Sequence, residues 1–127
     1  MIATSLVDAV ATLAAALDVN GGGVGPDGVP LHVPPMDQRP MGLPAIVLTV
    51  PDIVEHVRAG CGDPHWRFTT EVVVVAESTV GLRLLGITDA VITVLDAAGY
   101  KVTSSSVTTY DVPDFPAPIP ALSLTVE

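Results

Sequence analysis

Residues 68–99 read FTTEVVVVAESTVGLRLLGITDAVITVLDAAG, and the reading of this stretch decides the fold. A β-branched run over 71–76 leads through Glu77, Ser78 and Thr79 into the longest uninterrupted helical pattern in the chain. A strand followed by such a helix buries its apolar side when the helix folds back onto the sheet. The strand is expected over 65–76, where Trp66, Phe68, Thr70, Val72 and Val74 alternate onto one face. Arg67, Thr69, Glu71, Val73 and Val75 take the other face, so the first half has one wet side and the second half is apolar on both. Ser78 or Thr79 caps the helix, Leu84, Ile87, Val91, Val94, Leu95 and Ala98 form its core stripe, and Gly99 stops it. Gly81 and Gly86 weaken its first turns by roughly 1 kcal/mol each relative to Ala. Their small size also lets another backbone, such as a neighbouring subunit, come close.

Upstream, residues 4–17 form the first helix. Ser5 and Asp8 have the spacing of a weak capping box. Leu6, Val10, Leu13 and Leu17 recur at helical spacing with Val7 and Ala14 beside them, and Asn20 and Gly21 end the helix. The run AIVLTV at 45–50 lies between Pro44 and Pro51 and is apolar enough to be buried on both faces. Residues 52–59 fit either one or two helical turns or a strand continuing past Pro51; Ile53, Val54 and Val57 favour extended structure. GCGDP at 60–64 is a turn.

Downstream, 101–110 alternates Val, Thr and Ser with almost no charge, a strand with few apolar anchors. Pro113, Pro116, Pro118 and Pro120 make 111–120 an extended connector, and ALSLTV at 121–126 is the last strand. There is no internal repeat. The order of elements predicts one α+β domain over 1–127. It has a mixed four- to five-stranded sheet, two helices packed on one face, and a long Gly/Pro loop after the first helix.

That loop, 21–43, holds GGGVGPDG and then PLHVPPMDQRPMGLP. Gly makes the first half flexible and Pro makes the second stiff and extended. A loop of this length is either a disordered insertion or an arm that orders against a partner. Met36 and Met41 favour the arm, because methionine adapts to binding surfaces; Arg39 lies between them.

Composition narrows the function. Hydrophobic residues make up 49% of the chain but aromatics only 4%, which leaves little surface for stacking bases or substrates. Five Lys and Arg face fourteen Asp and Glu, for a net charge of −9, and Arg39, Arg58, Arg67, Arg83 and Lys101 are scattered. Phosphate-backbone binding needs a basic stripe. One cysteine, Cys61, excludes an intrachain disulfide framework. The first residues do not read as a signal peptide, and the apolar run at 2–17 is too short and amphipathic to span a membrane. A reducing cytoplasm is the expected site of synthesis. Charged residues are only 15%, so apolar area is expected outside the core, as at a subunit interface.

Four residues, His56, Cys61, Asp63 and His65, have the types that bind zinc, but H-x4-C-x-D-x-H matches no familiar zinc spacing and a Gly/Pro turn runs through it. They read as ordinary turn residues. Cys61 with His56 or His65 as base lacks an orienting third group. GGGVGPDG has no Lys-Ser/Thr and follows a helix, so it reads as linker and not as a phosphate loop. Asp52, Glu55, Glu71 and Glu77 read as solvated surface. Trp66 and Arg67, at the wet end of the main strand, are either an edge-of-core aromatic pair or an interface anchor. No catalytic, cofactor or metal residue is assigned, and an enzyme is not expected.

The layout resembles the tail terminator (tail completion) proteins of long-tailed, siphovirus-type phages infecting actinobacteria. The resemblance rests on LVDAVATLAAAL, LPAIVLTVP, HWRFTTEVVVVAE, STVGLRLLGITDAVITVLDAAG, the segment YDVPDFPAPIP and the final IPALSLTVE. It covers almost the whole chain as an order of elements; the 21–43 insertion matches least. The family implies a structural virion protein that forms a ring, usually a homohexamer, at the head-proximal end of the tail tube. Such a ring stops tube polymerisation, meets the tube protein and the head–tail connector, and lets DNA through its lumen. Assembly in the host cytoplasm and residence in the virion tail follow from the resemblance. Met36, Arg39, Met41, Trp66, Arg67, Gly81 and Gly86 are the interface candidates, and the loop residues Asp27, Asp37, Asp111 and Asp114 are candidates for an acidic lumen. Another connector or tail tube component, or a small enzyme using His56, Cys61 and His65, are the alternatives.

Overall fold

The computed structural model describes residues 2–3, 5–32, 44–57, 65–76, 81–110 and 119–127. In chain order they form β1 (Ile2–Ala3), α1 (Leu6–Leu17), a 3₁₀ turn at Pro26–Gly28, β2 (Leu31–His32), β3 (Ala45–Leu48) and β4 (Asp52–Val57). β5 (His65–Val75), α2 (Gly81–Ala97), β6 (Val102–Tyr110) and β7 (Ile119–Val126) follow. The strands make one seven-stranded sheet in the order β2-β3-β5-β7-β6, with β1 and β4 also paired to β5. β2 runs parallel to β3 and every other pairing is antiparallel, so the sheet is mixed as expected. The strand count exceeds the expected four or five by β1 and β2. Each has two residues, too few to carry an alternation signal.

The eleven-residue β5 holds the sheet together. Its second half lies between β3 and β7, and its first half between β4 and β1. Leu48 pairs with Val72 and Asp52 with Thr69, so the ladder slips by one residue around Pro51. β3 and β4 are therefore one path along β5, broken where proline cannot donate. The extended reading of this segment holds over Asp52–Val57. β3 ends earlier than expected: Thr49 keeps only one ladder bond, its amide donating to the Glu71 carbonyl at 3.1 Å, and Val50 is exposed.

Burial along β5 follows the alternation. Phe68, Thr70, Val72 and Val74 are buried on the helix side, and Trp66 is half-buried. On the other side Arg67 and Glu71 are exposed while Val73 and Val75 are buried. Leu13 and Leu17 of α1 and Leu84, Ile87, Val91 and Leu95 of α2 share one core with Ile46, Leu48, Val72, Val74, Leu124 and Val126. Both helices thus pack on one face. Ala45, Val47, Val73, Val75 and Ala121 form a second buried cluster on the opposite face, and it includes no helix residue.

Two stripes differ in detail from expectation. In α1 the buried residues are Ala9, Leu13 and Leu17, while Leu6 and Val7 face solvent. A four-residue step from Leu13 reaches Ala9, so small size hides this core position from a search for large apolar residues. In α2, Ala98 is exposed beyond the helix end and Thr88 is buried, its hydroxyl donating to the Leu84 carbonyl at 2.8 Å. Ser5 caps α1, accepting from the Asp8 amide at 3.1 Å. Gly99, at φ 89°, ends α2. Its amide donates to the Asp96 carbonyl at 3.1 Å and that of Tyr100 to Leu95 at 2.9 Å, the paired bonds of a Schellman motif. The expected caps Ser78 and Thr79 lie outside the described residues.

β5 and β6, joined through α2, point the same way but are not neighbours, because β7 lies between them antiparallel to both. β7 begins two residues before the expected start and includes Pro120, opposite Thr109 of β6. β5 pairs with β7 only from Ala121 onward, so the missing proline amide breaks no ladder on that side.

The first half of the Gly/Pro loop is not a flexible linker. α1 ends at Leu17, and the carboxylate oxygen Oδ1 of Asp18 accepts from the amides of Gly23 and Val24, each at 3.1 Å. The Asn20 side-chain amide donates to the Gly25 carbonyl at 2.8 Å. Gly21, Gly22, Gly23 and Gly28 all take positive φ, as does Asp27 at 58°, so the glycines permit a tight fold-back where side chains would be strained. Val29 is buried in the main core, and β2 follows directly. Asp18→Ala should lower stability by about 1–2 kcal/mol. Asp18→Asn, which keeps an acceptor oxygen, should recover most of that loss in urea titrations.

Candidate functional site

No catalytic constellation emerges among the described residues. No group of three or more His, Cys, Asp or Glu there is close enough to hold a metal ion. The ladder sets His56 opposite Trp66 and His65 opposite Val57, so the two histidines occupy adjacent rungs. Cys61 and Asp63 lie outside the described residues. The Gly23 and Val24 amides, which a phosphate would need, already bind the Asp18 carboxylate.

The structure brings two of the four candidate carboxylates together. Asp52 pairs with Thr69, two residues from Glu71, and both carboxylates are exposed. They line a shallow cleft of about 320 Å³ with Thr49, Val50, Thr69, Thr70 and Thr125. The hydroxyls there serve the backbone: Thr49 Oγ1 donates to the Glu71 carbonyl at 3.0 Å and Thr70 Oγ1 to that of Thr49 at 3.2 Å. They brace the kink where β3 leaves off. Glu55 stands opposite Arg67 in the register, and Glu77 lies outside the described residues. A second groove, of about 360 Å³, runs between α1 and the end of α2 and is lined by Ala3, Ala9, Thr12, Tyr100 and Glu127, among others. Burial, and then the Asp8 carboxylate, push the Tyr100 phenol above its ordinary range.

The remaining features are surfaces. Among the described residues β6 is the last strand of the sheet, with β7 on one side only. Residues 103–109 are exposed on both faces, and Val107 is 80% exposed. No charged residue lies within Val102–Tyr110. Natural edge strands are normally blunted by charge, proline or a bulge in mid-strand. Here the one irregularity, between Val102 and Ser104, is confined to the start. On the other side of the sheet β4 pairs, among the described residues, with β5 alone, and Ile53 and Val54 are half exposed.

The outer side of α2 forms another surface. Leu82, Leu85, Gly86 and Asp89 follow helical spacing and are all exposed, Leu82 at 80%. A Cβ at Gly86 would meet nothing within 4 Å, so packing within the chain does not require glycine there. Trp66 packs on the small cluster of Ala3, Ala9 and Phe68, as an edge-of-core aromatic does, while Arg67 is exposed. Asp27 is exposed at the 3₁₀ turn. Met36, Asp37, Arg39, Met41, Asp111 and Asp114 lie outside the described residues. Leu82 and Leu85 were not among the residues expected at a surface, because the α2 pattern was read only for its core stripe. Their position opposite the Leu84, Ile87, Val91 stripe was the available signal.

No described helix is long and apolar enough to cross a membrane. Compared with family models, with characterised proteins and with solved structures, the chain matches none.

Proposed function

We propose that this chain is a structural virion protein of the tail-terminator kind. It closes into a ring on the head-proximal end of a tail tube, stops tube growth and offers the surface that meets the head–tail connector. The observation that carries this reading is the uncharged, nine-residue β6 at the end of the sheet. Such an edge is an aggregation hazard in a monomer and an asset in a subunit. The exposed Leu82 and Leu85 beside Gly86 add a second contact surface suited to a partner.

The proposed mechanism is steric and electrostatic. Heterologous contacts that close around an axis give a ring of fixed size. A net charge of −9 repels DNA from the lumen wall and keeps it moving. Asp27 would contribute to that wall, with Asp37, Asp111 and Asp114.

Electron microscopy of tails assembled without this protein tests the reading. Overlong tubes with no heads attached are expected. Tails of normal length would overturn it, and a failure to make any tube would assign the chain to the tube itself.

A further inference from the structure

β6, at one end of the sheet, and β4, which flanks β5 on the side away from β7, fit each other. β4 and β7 run antiparallel to β5, and β6 runs antiparallel to β7, so β4 and β6 point in opposite directions. A second copy whose sheet faces the same way therefore brings its β4 beside β6 as an antiparallel pair, the more stable ladder type. Both edges carry exposed apolar side chains, Val107 on one and Ile53 and Val54 on the other. The charges also favour this pairing. β4 contains Asp52 and Glu55, so pairing β4 with itself would gather four carboxylates on one short ladder. β6 instead offers the hydroxyls of Ser104, Ser105, Ser106, Thr108 and Thr109 as donors to carboxylates.

The stagger is informative. Ser106, at the middle of β6, pairs with Ser123, which pairs with Val73 of β5. The middle of β4 lies lower, since Ile53 pairs with Phe68 and Glu55 with Arg67. The offset is five to six residues along β5, about 19 Å at strand rise. From β4 through β5 and β7 to β6 there are four strand positions, so the lateral repeat is also about 19 Å. Pairing copies with equal offset and width inclines the strands by about 45° to the ring axis, close to the tilt at which sheets close into barrels.

We infer that consecutive copies join head to tail, the β6 edge of one pairing with the β4 edge of the next, so that the sheet continues around the ring. This rests on the ring reading above and names the strands that would build it.

The test uses the full chain with Cys61→Ser, carrying Val107→Cys and Val54→Cys, and a short bismaleimide. A ladder of covalent oligomers rising to the ring size is expected, with no ladder from either cysteine alone. Val107→Lys and Ser105→Lys put charge on the edge at exposed positions. Each should raise the subunit concentration needed for half-assembly at least about tenfold, with the circular dichroism spectrum unchanged. Native mass measurement separates the outcomes. A ring that forms without the ladder and survives both lysines overturns the pairing and leaves the ring reading standing. Covalent dimers from Val107→Cys alone mean two-fold β6–β6 pairing and overturn it too. A monomer at every concentration overturns both.

Discussion

Replacing Phe68 by alanine is expected to lower the unfolding free energy by about 3–5 kcal/mol. The ring is 1% exposed and packs against Ala3, Ala9 and the half-buried Trp66. Those neighbours come from β1, α1 and β5, so one side chain ties the start of the chain to the sheet. Ala3 and Ala9 are too small to collapse into the vacated space, which places the loss toward the upper end of the range. A domain of this size has only about 5–15 kcal/mol to lose. Urea unfolding followed by circular dichroism measures the change. Val107→Ala, at an exposed position on β6, should stay within about 0.5 kcal/mol. A Phe68→Ala loss under about 1 kcal/mol would mean that this cluster does not anchor α1.

The second large effect is expected at Gly25. Its φ is −85°, so the backbone itself accepts any residue and the constraint is space. An added Cβ would stand 3.0 Å from Ile46 Cδ1, 3.3 Å from the Val29 carbonyl oxygen and 3.4 Å from that of Leu17. The Ile46 methyl can rotate away, but the two carbonyls belong to the end of α1 and to the segment leading into β2. Gly25→Ala should therefore cost about 1 kcal/mol and Gly25→Val up to about 3 kcal/mol. Thermal melting of the pair gives the comparison. Equal melting temperatures for valine and wild type would show that the fold-back opens without cost. Gly22→Ala is a different case, because nothing lies within 4 Å there and the strain comes from φ 68° alone.

These two positions illustrate how much of the fold could be read in advance. Phe68 lay on the buried face by alternation, and the halves of β5 divide where Glu71 gives way to valines. The α2 stripe and its Gly99 stop were equally legible, because a 3.6-residue period and a left-handed glycine are local signals. Gly25 was not legible. Its role depends on Ile46 and Val29 meeting over it, and the glycine-rich composition pointed to a flexible linker instead. Asp18 was missed for the same reason: a carboxylate that binds amides five and six residues ahead leaves no periodic trace. The edge position of β6 was half legible, since the lack of charge was visible but its neighbour was not. The kinship of Asp52 and Glu71 in one cleft came from the register slip at Pro51, which no spacing rule encodes.

The placement of β7 also governs how the chain is made. β5 and β6 leave the ribosome before the strand that lies between them. Until residues 119–126 emerge, β6 lacks the one neighbour it has among the described residues, and β5 lacks its β7 partner along Thr70–Val75. The sheet therefore closes late, through pairings between residues far apart in the chain, and such topologies fold slowly. Nascent chains on neighbouring ribosomes would offer one another the same unpaired, uncharged strand. High local concentration would favour aggregation during that interval.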